Sequence, residues 1–130
     1  MAVMIESVPF APSVILVAED DELLRVYASE LLEDHGYSVL EAENAERALA
    51  ILNLRSDVRL VFTDVQMPGA YDGMDLSRQV HERWPHVRLI ITSGRERPAR
   101  SEIPNDGRFL AKPYRADELL KQVDALMSDI

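Results

Sequence analysis

Acidic side chains stand at the ends of two short apolar runs. Val14-Ile15-Leu16-Val17-Ala18 is followed by Glu19, Asp20 and Asp21, and Leu60-Val61-Phe62-Thr63 is followed by Asp64. A third run, Leu110-Ala111, leads into Lys112 and Pro113, and a fourth, Leu89-Ile90-Ile91, leads into Thr92, Ser93 and Gly94. If these runs are parallel strands of one sheet, the carboxylates, the ammonium and a hydroxyl all emerge at one carboxyl edge, where open α/β sheets bind ligands. Carboxylates gathered so closely repel one another unless a cation sits among them, and an oxygen-only site suits Mg2+. The combination of carboxylates, Lys and hydroxyl is suited to phosphoryl chemistry.

The elements that must hold these groups can be read from periodicity. The run from Val14 to Ala18 is short and rich in β-branched residues, as a strand covered on both faces should be. After it, Leu23, Leu24, Tyr27, Leu31 and Leu32 recur at helical spacing, with acids in the first turn and Gly36 as a stop, which predicts an amphipathic helix. Residues 38–43 alternate like a strand, and Asn44 is placed to cap a helix carrying Ala45, Ala48, Leu49, Ile51 and Leu52. The pattern repeats as strand 60–64, helix 75–84 with Leu76, Val80 and Trp84 on one side, strand 87–92, strand 108–111 and helix 117–127. Strands alternating with helices imply a parallel sheet wound by right-handed crossovers. The expectation is a doubly wound, five-stranded α/β domain of flavodoxin-like (βα)5 type, with about five helices. Pro98 and Pro104 bracket so few residues that the fourth helix should be short or irregular. Residues 1–13 read as a leader and 14–130 as the single domain.

At 130 residues, 47% hydrophobic and 28% charged, the chain has the size of one domain with one core. The absence of Cys excludes disulfides, thiolate metal sites and a Cys nucleophile. No basic stretch precedes the apolar residues of the leader, and no run approaches the roughly 20 apolar residues that cross a bilayer, so a cytoplasmic protein without membrane attachment is expected. A formal charge of −9 opposes the attraction to phosphate backbones on which nucleic-acid binding depends.

Asp64 is followed by a loop marked by Met67-Pro68-Gly69 and Asp72-Gly73. Together with Glu19-Asp20, Ser93-Gly94 and Lys112-Pro113, in that order, it resembles the receiver domain of bacterial two-component response regulators, over nearly the whole chain from Val14 to Met127. The resemblance implies that Asp64 accepts a phosphoryl group from a phosphohistidine on a partner. It implies that Asp20 and Asp64 ligate Mg2+, that Glu19 binds it more loosely or through water, and that the backbone carbonyl of Gln66 supplies a further oxygen. Lys112 would pair with a phosphoryl oxygen, Ser93 would hydrogen-bond another once Asp64 is modified, and Phe109 occupies the family's aromatic switch position. Gln66 and Arg95 flank the phosphoryl position.

The sequence departs from the family pattern in a few places. Glu19 stands where Asp is commoner, the loop from Asp64 to Asp72 is one residue longer than in the simplest receivers, and the segment between Ser93 and Lys112 is short. Asp21 and Glu22 read as helix-start acids rather than ligands. Thr92 and Ser93 are adjacent, so strand alternation lets only one face the site; Ser93 is favoured because it precedes a small residue. His35, His81 and His86 share no metal-ligand spacing and read as solvated surface, Met67 as loop packing and Trp84 as core. The expected protein is a stand-alone phosphoacceptor, monomeric or weakly dimeric, and not an effector enzyme. It would take phosphate from a sensor histidine kinase or histidine phosphotransfer protein and signal through an unknown protein target. Three rivals are a phosphorylation-independent adaptor, a receiver cut from a larger regulator or hybrid kinase, and an Asp-nucleophile phosphatase. The last lacks its usual second Asp, since Gln66 stands there.

Overall fold

The structure is a computed structural model that describes residues 14–95, 97–104 and 107–128. The expected leader, residues 1–13, lies outside the described residues, as do positions 96, 105, 106, 129 and 130.

Strands β1 (Val14–Ala18), β2 (Ser38–Ala42), β3 (Val58–Asp64), β4 (Arg88–Ser93) and β5 (Arg108–Ala111) pair in parallel in the order β2-β1-β3-β4-β5. From β1 the chain moves first to one side of the sheet and then to the other, so the strand order reverses between β1 and β3. In a doubly wound sheet that reversal opens a crevice at the carboxyl ends. The ends of β1 and β3 carry Glu19, Asp20 and Asp64.

Helices α1 (Glu22–Asp34), α2 (Ala45–Leu54), α3 (Gly73–Arg83) and α4 (Ala116–Met127) cover the two faces. Successive strand residues point to opposite sides. Leu16, Val61 and Leu89 pack with Ala48 and Leu49 of α2 and Leu76 and Val80 of α3. Val17, Phe62, Ile90 and Leu110 pack with Ala28 and Leu32 of α1 and Leu119, Val123 and Leu126 of α4. Every residue of β1 is buried, because its strand is central and both its faces are covered.

The starts of α1, α2 and α3 are fixed by side chains that satisfy the first free amides. Asp21 accepts from Leu24 N at 3.2 Å, Asn44 from Arg47 N at 2.7 Å, and Asp72 forms a reciprocal box with Asp75. Gly73 permits a close approach that no other residue allows: a Cβ there would lie 1.8 Å from the carbonyl oxygen of Asp64. Its N–H donates to the Val65 carbonyl at 2.8 Å, which folds the loop after β3 back onto the strand end.

Three expectations change. The described residues contain four α-helices rather than about five, because the crossover from β4 to β5 holds only a 3-10 turn, Arg100–Glu102. This is the short fourth element foreseen from Pro98 and Pro104. In α1 the apolar stripe is not uniformly buried: Leu23 is 82% exposed and burial begins at Ala28, because the first turns contribute nothing to the core beneath the sheet face. Trp84 ends α3 and is only partly buried, with the Arg83 guanidinium 4.4 Å from its ring centroid.

Candidate functional site

Lys112 follows β5 and reaches across to the two central strand ends. Its Nζ lies 2.9 Å from Oε1 of Glu19 and 3.1 Å from Oδ2 of Asp64. Glu19 and Asp64 are buried, and Lys112 is partly buried. The other oxygen of Glu19, Oε2, accepts from Asp21 N at 3.1 Å, and Oδ1 of Asp64 accepts from Gln66 N at 3.4 Å. The carboxylates are therefore oriented by the turns that follow their own strands.

Burial pushes the Glu19 carboxyl up from its ordinary value; the bonds from Lys112 and Asp21 N oppose this, and the nearby Asp64 charge adds to it. Burial works to lower Lys112, yet the hydrogen bond to Glu19 and the charges of Asp64 and Glu19 outweigh it and hold the ammonium above its ordinary value. Lys112 is thus a fixed cation.

Asp20 is exposed, and one oxygen from each of Glu19, Asp20 and Asp64 falls within a cluster 4.8 Å across. Such a set fits a hard divalent cation: all donors are carboxylate oxygens, and Asp20 opens to solvent. An open depression lined by Asp20, Gln66, Met67 and Asp72 lies beside it. The Gln66 side chain is exposed, while Met67 is buried and anchors the loop. Ala70 N in the same loop donates to Glu46 of α2 at 2.9 Å.

Strand alternation separates Thr92 from Ser93. Thr92 pairs in register with Asp64 on β3, and Ser93 with Ala111 on β5. Ser93 ends β4, is buried, and its Oγ accepts from Arg95 N at 3.3 Å. Its carbonyl accepts from Lys112 N at 3.0 Å, which ties the hydroxyl-bearing end to the lysine-bearing one. Thr92 is buried, and its hydroxyl has no partner among the described residues. It lines a small cavity with Glu19, Asp64, Phe62 and Tyr114. Phe109 lies on β5, half-buried, with the Arg97 guanidinium 5.0 Å from its ring centroid.

Two features were missed from sequence. Tyr114 stacks edge-on against Phe62, with centroids 5.7 Å apart, and burial pushes its hydroxyl well above its ordinary value. Its position directly after Lys112-Pro113 was the available signal. His35 is exposed, as expected, but it also meets Asp124 of α4 at 2.9 Å, and Tyr37 donates to the same carboxylate at 2.6 Å. His81 and His86 are exposed as expected. No helix among the described residues is long and apolar enough to cross a membrane.

The family model for the response regulator receiver domain matches residues 15–124. The response regulator receiver protein CpdR of Brucella abortus is 30% identical over 116 residues, covering 87% of this chain and 95% of CpdR. The sensor kinase CckA of the same organism is 32% identical over 117 residues, covering 87% of this chain but 12% of the kinase. Among solved structures, a response regulator receiver protein from Sinorhizobium medicae superposes with a TM-score of 0.81 at 25% identity, covering 90% of this chain and 95% of that one.

Proposed function

This chain belongs to the response regulator receiver domain family, and from that premise we propose that it is a phosphoacceptor in a two-component phosphorelay, with Asp64 as the accepting residue. An oxygen of Asp64 attacks the phosphorus of a phosphohistidine on a sensor kinase or histidine phosphotransfer protein. The O–P bond forms as the P–N bond breaks, and the imidazole nitrogen keeps the electron pair. The transfer depends on positioning and charge rather than on covalent work elsewhere in the protein. Asp20 and Asp64 are the proposed direct ligands of Mg2+, with Glu19 acting through water and the Gln66 carbonyl as a further donor. The ion, when bound, offsets charge on the phosphoryl oxygens.

Lys112 exchanges part of its contact with Asp64 for a phosphoryl oxygen, and Ser93 hydrogen-bonds another. The signal leaves through protein contacts made by the segment after Ser93, Phe109 and α4, whose two arrangements phosphorylation biases. The protein acts in the cytoplasm and is not an effector enzyme. The observation that carries this reading is Lys112 Nζ placed 3.1 Å from Asp64 Oδ2 while also holding Glu19. Intact mass after incubation with acetyl phosphate tests it. A single adduct that requires Mg2+ and is absent from Asp64→Asn is expected; an adduct that survives in Asp64→Asn overturns the assignment.

A further inference from the structure

Val17 of β1, Phe62 of β3 and Ile90 of β4 lie side by side in the layer under α1 and α4. Two residues further along the chain from each come Glu19, Asp64 and Thr92, so continued alternation turns these three polar side chains to the same face. Thr92 is the register partner of Asp64 on the neighbouring strand, and the two are 2% and 8% exposed. The three residues line a cavity of about 10 Å3, which Leu24 and Ala28 of α1, Phe62 and Tyr114 line as well.

The bonding around this cavity is uneven. Both oxygens of Glu19 are engaged, Oε1 by Lys112 and Oε2 by Asp21 N. Asp64 meets Lys112 through Oδ2 at 3.1 Å, but its Oδ1 receives only the long bond from Gln66 N at 3.4 Å. A carboxylate oxygen accepts up to two hydrogen bonds, so Asp64 has capacity left. Thr92 Oγ1 is buried with no partner among the described residues. Native interiors rarely leave a hydroxyl so, because nothing then replaces its lost hydration.

We propose that this cavity is a binding site for a single water molecule, which accepts a hydrogen bond from Thr92 Oγ1 and donates one to Asp64. The volume is that of one water, and the lining supplies the polar partners that a buried water needs. A divalent cation would need about six oxygen ligands, which the apolar part of the lining does not supply. The water restrains the rotation of the Asp64 carboxylate, alongside Lys112, so that its oxygen is aimed before a donor arrives. Thr92 is thereby a positioning residue that acts through the water and does not touch the phosphoryl group. The presence of the water is independent of the phosphoacceptor reading, whereas its service to transfer rests on that reading.

The test is a high-resolution crystal structure of the full chain, without Mg2+ or phosphoryl donor, beside Thr92→Ser and the nearly isosteric Thr92→Val. Expected is an ordered water within hydrogen-bond distance of Thr92 Oγ1 and an Asp64 oxygen, kept in Thr92→Ser and lost in Thr92→Val. A dry cavity in the unsubstituted protein, or a water that misses Asp64, overturns the inference. Thermal unfolding reads the same site with opposite signs. Where the water is bound, Thr92→Val strips it of a partner and should lower Tm by about 3–6 °C. An unchanged or raised Tm is what removal of an unbonded hydroxyl from a dry cavity would give, and it overturns the site. The positioning role is read by acetyl phosphate labelling at saturating Mg2+. The maximal rate should fall by about three- to tenfold in Thr92→Val and recover in Thr92→Ser, with the half-saturating donor concentration unchanged. An equal maximal rate in Thr92→Val overturns that role. The two proposals fail separately: no labelling of a protein that holds the water sinks only the phosphoacceptor reading, and intact labelling over a dry cavity sinks only this one.

Discussion

Lys112 offsets two carboxylates at once, and its removal exposes what they cost. With no cation between them, buried Glu19 and Asp64 face one another unscreened, and a buried charge that loses its partner is far more costly than the pair was favourable. Lys112→Met is therefore expected to lower stability in Mg2+-free buffer by about 1–3 kcal/mol, measured by urea unfolding, with added Mg2+ recovering part of the loss. A second residue-scale prediction concerns Asp124. Its carboxyl is held below its ordinary value of 3.8 chiefly by the hydrogen bond from Tyr37, against burial, with His35 adding to the effect. A carboxyl lowered in the folded state contributes stability above its unfolded value, and that contribution is lost as pH falls through the folded value. Asp124→Asn should lower Tm near neutral pH by about 2–4 °C and flatten the fall of Tm on acidification below about pH 4. An unchanged acid limb would contradict it. The gathering of Asp64, Asp20 and Lys112 at one edge was legible because each follows an apolar run that reads as a strand of one parallel sheet. The His35–Tyr37–Asp124 contact was not, since it joins the turn between α1 and β2 to α4, with His35 and Asp124 89 residues apart, and leaves no local pattern.

At the scale of elements, the start of α1 presents Leu23, Leu24, Val26 and Tyr27 to solvent directly after the acidic strand end. Exposed apolar side chains gathered beside the proposed phosphoacceptor suit docking of the proposed phosphohistidine donor. Leu23→Asp should abolish or slow phosphoryl transfer from the cognate partner by about tenfold or more while leaving labelling by acetyl phosphate unchanged. Equal slowing with both donors would place the effect on the chemistry instead of on docking. Periodicity located this helix correctly but overstated its buried stripe, because a repeat of apolar residues does not say where the sheet beneath them stops. The crossover between β4 and β5 shows the opposite case. The prolines gave its brevity, but not which side chains its single 3-10 turn, Arg100–Glu102, leaves around the open hollow beside Phe109.

At the scale of the whole molecule, the reversal of strand order between β1 and β3 brings every charged group of the site to one edge. An ion that binds the folded chain there, and not the unfolded one, stabilises the entire domain by mass action. Mg2+ at about a hundred times its dissociation constant should add about 2.7 kcal/mol, and Asp20→Asn should remove most of that gain while keeping the fold. Thermal unfolding with and without Mg2+ reads this directly. An equal shift in both proteins would place the ion elsewhere. The architecture was legible from the alternation of elements, since buried strands leave short, continuous apolar runs between stretches of helical periodicity. The central claim is that one carboxylate carries the phosphoryl group, and borohydride trapping followed by peptide mass mapping tests it most directly, because reduction converts an aspartyl phosphate to homoserine. Homoserine at position 64, formed only after incubation with phosphoryl donor and Mg2+, is the predicted result; homoserine at Asp20 or another acid, with Asp64 intact, would contradict it.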